Sequence, residues 1–382
     1  MRVSKLAKAA IVAVAFGLVA STPAYAANLQ GSGASFPALL IEGCKAPYAA
    51  ASANSYTYAS SSSGTGQANS DKSIGDFWMS DSPYTAATKR ASLIHVPLVA
   101  APIAILHNVP GSKTIQFSAA TVAKIFAGEI TMWNDPAIVA DNNRSTTTVT
   151  YRKNADGTLK KDAKGDPIVL STRTLKSTVA LPNKKINVVY RSDSSGTTAN
   201  FTTYLNKSAP SVWTKASNKV FTATFPGNIN DPSNLGRIVG AASSTGVSQL
   251  AGKTPYSITY AEVNYAAANN LKIANLINPA GASVAPDSTG VGAFLASASQ
   301  DANGWLTYDY ATKEKGAYPL GIVSYLLADT KSGDKTTAAA VADFAKFILS
   351  PACSKTVGEP LGFSVIDGDL LKKSLAQVAK IG

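Results

Sequence analysis

Short apolar runs alternate with amphipathic stripes along most of the chain. Ser55 to Ala59 alternates as a strand does, and Ile186 to Tyr190, Ser257 to Tyr260 and Leu320 to Leu327 are runs of strand length. Between them, apolar residues recur at helical spacing: Leu39, Leu40 and Tyr48; Val122, Ile125 and Phe126 within 118–130, closed by Gly128; Phe201, Tyr204 and Leu205; and Val341, Phe344, Phe347 and Ile348 within 338–349. The first of these helices is expected to be capped by Ser35, with Pro37 in its first turn, and two further helices are expected: one over 85–92 capped by Asp81, and one over 261–270. Strands that alternate with helices predict an α/β architecture. Val96 to Leu106 is apolar but broken by Pro97 and Pro102, and reads as a crossing from one lobe to another, with Leu320 to Leu327 as the return. The stretch 144–181 breaks the pattern. It is rich in Thr, Lys and Asp, with turn signals at Asp156-Gly157 and Lys164-Gly165-Asp166-Pro167, and predicts an exposed hairpin or long loop.

The first 26 residues belong to a different pattern. Arg2, Lys5 and Lys8 precede an apolar core, Ala9 to Ala20, and Ala24-Tyr25-Ala26 is an A-x-A cleavage site. The core is too short for a transmembrane anchor. Removing residues 1–26 leaves 356 of 382, a length that suits two lobes, and the product is expected to be a soluble exported protein. The net charge is +12 for the whole chain, and about +9 once the three signal charges are gone. Such a surface attracts anions of many kinds. Nucleic acid is not the expected partner: export argues against it, and the basic residues are scattered with no binding motif. The only cysteines are Cys44 and Cys353. Export favours a disulfide between them, with two buried thiols as the alternative. No zinc spacing is present, and His95 and His107 have no acidic neighbour or metal motif, so both are expected to be structural.

The chemistry concentrates at Arg191-Ser192-Asp193-Ser194-Ser195-Gly196-Thr197-Thr198, between the apolar run ending at Tyr190 and the stripe that starts at Phe201. A helix starting near Ser195 presents unpaired N–H groups and a partial positive charge. Two hydroxyls, a glycine and an upstream arginine complete a cradle for a compact oxyanion. A second hydroxyl- and glycine-rich turn, Ser60 to Gln67, also follows a strand. Asp76-Phe77-Trp78-Met79-Ser80-Asp81-Ser82-Pro83 sets an Asp at the end of an apolar segment.

These motifs, together with Gly31-Ser-Gly-Ala-Ser-Phe-Pro37, Met132-Trp133-Asn134-Asp135 and Ile258-Thr-Tyr260-Ala-Glu262, stand in the order seen in one family. The chain resembles the phosphate-binding proteins of bacterial ABC phosphate transporters, the PstS family, and more loosely the DING proteins. The resemblance covers nearly all of the chain after the signal segment. It implies a type II two-lobe periplasmic binding fold with the ligand cleft between α/β lobes, lobe one being 27–99 plus 319–382 and lobe two 100–318, with 144–181 as an exposed insertion. The disulfide would then lie within lobe one. The phosphate contacts that the resemblance implies are Ser35, the backbone N–H of Phe36, Ser63 (or Ser62 if the register slips by one), Asp81, Arg191, Ser195, Gly196 and Thr197, with Asp193 holding Arg191. Asp81 would accept a hydrogen bond from protonated phosphate and leave unprotonated sulfate facing a buried charge. The implied partners are inorganic phosphate and a membrane ABC permease. A monomer without cofactor or metal is expected, placed in the periplasm or secreted, and not an enzyme. The alternatives are a secreted DING-like phosphate scavenger or a weak phosphatase.

Overall fold

The computed structural model of the protein describes residues 26–382 except positions 88, 113, 156, 157, 159, 166 and 177. The signal segment up to residue 25 and the turn residues Asp156, Gly157 and Asp166 therefore lie outside the described residues. In chain order the strands that shape the molecule are β1 (Asn28–Ala34), β2 (Ser55–Ser61), β3 (Phe77–Ser80), β4 (Leu93–His107), β5 (Ser145–Tyr151), β6 (Val169–Lys176), β7 (Asn187–Arg191), β8 (Ile238–Ala241), β9 (Ser257–Glu262), β10 (Lys272–Ile277) and β11 (Gly321–Asp329). The helices that matter for the site are α1 (Ala38–Gly43), α2 (Ser63–Asp71), α3 (Ala119–Phe126), α4 (Gly196–Ser208), α5 (Ser243–Lys253) and α6 (Lys335–Leu349).

One continuous sheet runs through the molecule. At one end β1 lies between β2 and β3, parallel to both, and β3 pairs antiparallel with β11. At the other end β9 pairs parallel with β7, which pairs parallel with β8. The two ends are joined by β4. Its residues 93–102 pair antiparallel with β11, and its residues 103–107 pair antiparallel with β9 and, at 105–107, with β10. Fourteen of its fifteen residues are buried, which explains the unbroken apolar run. Its two prolines sit where a ladder donor is least needed: Pro97 faces Tyr325 at a register shift in β11, and Pro102 faces Gly321, the first residue of that strand.

Each end has its own aromatic core. Tyr48, Tyr56, Phe77 and Phe344 pack together under the first, and Phe126, Phe201, Phe221 and Tyr260 under the second. Val341, Phe344 and Ile348 of α6 are buried as its stripe predicts. Cys44, at the end of α1, is bonded to Cys353, just beyond α6, with their Cα atoms 5.5 Å apart. β5 and β6 form a separate antiparallel hairpin, the exposed element expected in 144–181. Among the described residues no helix is long and apolar enough to cross a membrane.

Three local expectations fail. Helix α1 starts at Ala38 with Pro37 at its cap position and no side-chain capping bond, so Ser35 is not a cap. None of the described residues of 85–92 is helical. They have no apolar stripe, and the segment is instead tied down by its cations: Arg90 pairs with Asp329 at 2.6 Å, and Lys89 Nζ donates to the Leu93 carbonyl at 2.9 Å. Asp81 consequently caps nothing. Finally, the strand read as ending at Tyr260 continues to Glu262, and only Asn264–Ala268 is helical.

Candidate functional site

The two ends of the sheet meet where β1, β3 and α2 face the turn between β7 and α4. Ser62 caps α2 by accepting from the Thr65 N–H at 3.1 Å, which turns the next hydroxyl, that of Ser63, inward. Ser195 caps α4 in the same way, accepting from the Thr198 N–H at 3.1 Å. The sequence supports both turns: a hydroxyl at the cap, small residues in the first turn, and an apolar stripe beginning later.

Asp81 sits between these turns, just beyond β3, and is 2% exposed. Its Oδ2 accepts from the Ser63 hydroxyl and from the Thr197 hydroxyl, both at 3.3 Å, and its Oδ1 accepts from Ser324 on β11 at 2.7 Å. Burial pushes its carboxyl up to about 6, with the Ser324 bond and the Arg191 charge opposing the shift. The backbones approach closely here. A Cβ on Gly196 would lie 2.5 Å from Ser63 Oγ and 2.8 Å from Asp81 Cβ, and one on Gly64 would lie 2.5 Å from the Ser194 side chain. The Gly64 N–H donates to the Ser194 carbonyl at 2.9 Å, Asn200 donates to the Asp81 carbonyl, and Lys219 donates to Gln67. The two ends are therefore in contact across the site. A cavity of about 500 Å³ adjoins this seam, lined by Gln67, Ser82, Tyr84, Asn200 and Lys219 among others.

Arg191, at the end of β7, is also 2% exposed. Asp193 holds it in a fork, Nε to Oδ1 at 2.7 Å and Nη2 to Oδ2 at 2.6 Å. Burial works against the guanidinium charge, but the bonds and charge of Asp193 outweigh it, and the pair holds Asp193 low and Arg191 high. The free nitrogen, Nη1, donates to Ser244 Oγ at 3.2 Å. Ser244 in turn reaches Ser35: its N–H donates to Ser35 Oγ at 3.2 Å, and the two hydroxyls lie 3.3 Å apart. Phe36 buries its ring edge-on against Phe363, with centroids 6.3 Å apart, and fixes the backbone beside Ser35.

The structure thus brings Ser63, Asp81, Gly196 and Thr197 into one contact, joins Ser35 to Arg191 through Ser244, and uses Ser195 as the cap that aims the turn. Sequence reading missed Ser244, Ser324, Asn200 and the role of Glu262, whose Oε1 accepts from Ser244 at 3.1 Å. The available signals are faint: a lone serine in the apolar run of β11, and a lone acid closing β9. Among the described residues no group of three or more His, Cys, Asp or Glu is placed to hold a metal. His95 and His107 are buried, and burial pushes both down to about 3. What remains is a buried set of hydroxyls and one pinned guanidinium around the Asp81 carboxyl, the donor pattern of an oxyanion site that also accepts a proton.

The chain is similar to several known proteins. Residues 19–352 match the model of a PBP superfamily domain. The chain is 31% identical over 304 residues to "Phosphate-binding protein PstS3" of Mycobacterium bovis, covering 75% of this chain and 69% of that one. It is 29% identical over 328 residues to "Phosphate-binding protein PstS" of Xylella fastidiosa, covering 84% and 77%. Among solved structures, a high affinity periplasmic phosphate-binding protein, PfluDING, bound with phosphate, superposes with a TM-score of 0.66 at 21% identity, covering 91% of this chain and 93% of that one. That likeness establishes the fold, a type II periplasmic binding fold, and with the sequence relatives it shows that the chain belongs to the PstS family of phosphate-binding proteins.

Proposed function

We propose that this protein captures inorganic phosphate between its two lobes and delivers it to a membrane ABC permease. The observation that carries the reading is Asp81, a buried carboxyl met by hydroxyls from both ends of the sheet and sharing the interior with a pinned guanidinium. Phosphate at neutral pH carries one or two protons, and sulfate carries none. A phosphate O–H donates to the Asp81 carboxylate, while Arg191, the hydroxyls of Ser35, Ser63, Ser195 and Thr197, and the N–H groups of Phe36 and Gly196 donate to its oxygens. Charge-assisted bonds of this kind are worth about 1.5–3 kcal/mol each. A handful, less the free energy of closure, supports micromolar binding or better, about −8 kcal/mol. The names of the relatives support the same ligand.

In this reading residues 1–26 are the export signal, and the protein works as a monomer in the periplasm. Lobe one is 27–99 plus 319–382, and lobe two is 100–318. The hairpin within 144–181 is free to meet a partner, and nucleic acid is not among the partners. Hydrolysis finds no support, since the relatives are named as binding proteins. Calorimetry with phosphate and with sulfate tests the proposal. Tight phosphate binding with no sulfate response is expected, and equal affinity for the two anions would sink it.

A further inference from the structure

Glu262 closes β9, is 1% exposed, and lies behind the site rather than in it. Its Oε1 has one side-chain partner, the Ser244 hydroxyl, and its Oε2 is buried with none. Ser244 connects it to both jaws. The Ser244 Oγ accepts from Arg191 Nη1 and donates its single proton to Glu262, while its N–H donates to Ser35 Oγ. Ser35 thereby accepts from the Ser244 N–H and donates its own proton to the Ser244 Oγ at 3.3 Å, so both sides of its hydroxyl are tied to Ser244.

The charges around this chain do not balance once an anion arrives. The charged and titratable groups that act on Glu262 are Arg191 at the end of β7, Asp81 from the opposite end of the sheet, and Tyr265 from the following helix, while Asp193 holds Arg191. Arg191 and Asp193 cancel as a pair. That leaves two buried carboxyls, Asp81 and Glu262, facing the incoming negative charge. Asp81 is committed to the ligand. A bare Oε2 on Glu262 leaves an unpaired buried charge, which is far harder to sustain than an unpaired neutral group.

We propose that Glu262 takes up one proton from solvent when phosphate enters, so that capture is coupled to protonation of a carboxyl that the ligand never touches. This rests on the phosphate reading above. The proton goes to Oε2, and Oε1 continues to accept from Ser244, so the hydrogen bonds that position Ser35 survive while the negative charge disappears. Burial already pushes Glu262 up to about 7, and an anion nearby pushes it the same way. Because the bound form then holds more protons than the free form, phosphate affinity falls as pH rises above that value.

Glu262→Gln fixes the neutral form and keeps an oxygen for Ser244. Titration calorimetry with inorganic phosphate at pH 8, in two buffers of different ionisation enthalpy, counts the protons taken up. The wild type is expected to take up more than Glu262→Gln, by up to one proton. Its log Kd should rise with pH more steeply between pH 7 and 9, by up to about tenfold per pH unit. Ser244→Ala is the second variant. Without its donor, Glu262 is protonated before the ligand arrives, so uptake also falls. Difference infrared spectra of the wild type should gain a protonated-carboxyl band on phosphate addition. Phosphate binding with equal proton counts and equal slopes in wild type and variants overturns this inference and leaves the phosphate reading standing. A wild type that binds no phosphate overturns both.

Discussion

Asp81→Asn should make the ligand-free protein more stable and the bound protein less selective. The carboxyl is raised from its ordinary 3.8 to about 6, chiefly by burial. A carboxyl raised in the folded state binds more protons there than in the unfolded chain, so its contribution to stability falls as pH rises from about 4 to about 6 and stays lost above that. At about 1.4 kcal/mol per pKa unit, keeping Asp81 ionised at pH 7.5 costs up to about 3 kcal/mol. Asparagine removes that cost and retains an oxygen for Ser324, so the ligand-free melting temperature should rise by a few degrees. Binding moves the other way. The variant exchanges a carboxylate acceptor for a neutral amide, so a bond from the phosphate O–H worth about 1.5–3 kcal/mol weakens, and phosphate affinity falls by about tenfold or more. Sulfate no longer meets a buried like charge and gains. Melting curves without ligand and calorimetry with both anions measure the two effects. An unchanged phosphate-to-sulfate ratio refutes Asp81 as the discriminator, and a lower ligand-free melting temperature refutes the claim that burial strains its charge.

Other changes should separate the remaining parts. Gly196→Ala places a methyl 2.5 Å from Ser63 Oγ and 2.8 Å from Asp81 Cβ. An overpacking penalty of about 1–3 kcal/mol falls on the closed form, so phosphate affinity drops by roughly five- to hundredfold, and small-angle scattering with phosphate shows a more open molecule than wild type. Arg191→Lys cannot hold the Asp193 fork and Ser244 together, and calorimetry should show phosphate binding weakened by about a hundredfold or more. Replacing Cys44 and Cys353 together by serine frees a loop of 309 residues, so thermal unfolding should come roughly 3–7 °C earlier through a loss of about 2–5 kcal/mol, with phosphate still bound.

The parts of the site visible in the sequence are those built from consecutive residues. A hydroxyl, a glycine and an apolar stripe within a dozen positions specify the cap at Ser195 and the helix behind it, and the same holds for Ser62 and Ser63. The contacts that complete the site join residues far apart in the chain. Ser324 meets Asp81 across a separation of 243, and Ser35 meets Ser244 across 209. Ser324 looks like a tolerated polar residue in an apolar strand until its partner is known. The failed helix at 85–92 has a similar cause. Its composition allows helix, but long-range anchoring of Arg90 by Asp329 decides its path. Ser35 looked like a cap because its local setting suits one, yet its hydroxyl is engaged by a helix of the opposite end of the sheet.

The sheet order also dictates a schedule for assembly. The strands β7, β8, β9 and β10 lie within 187–277 and follow β4, so they can pair before the last hundred residues emerge. The end built on β1 cannot finish then. Its strand β3 waits for β11 at 321–329, and Cys44 waits for Cys353. A chain crossing a membrane from its N-terminus would therefore spend most of its passage with its earliest strands unsatisfied along one edge. Until residues 321–353 arrive, that edge is the part of the molecule open to wrong pairing.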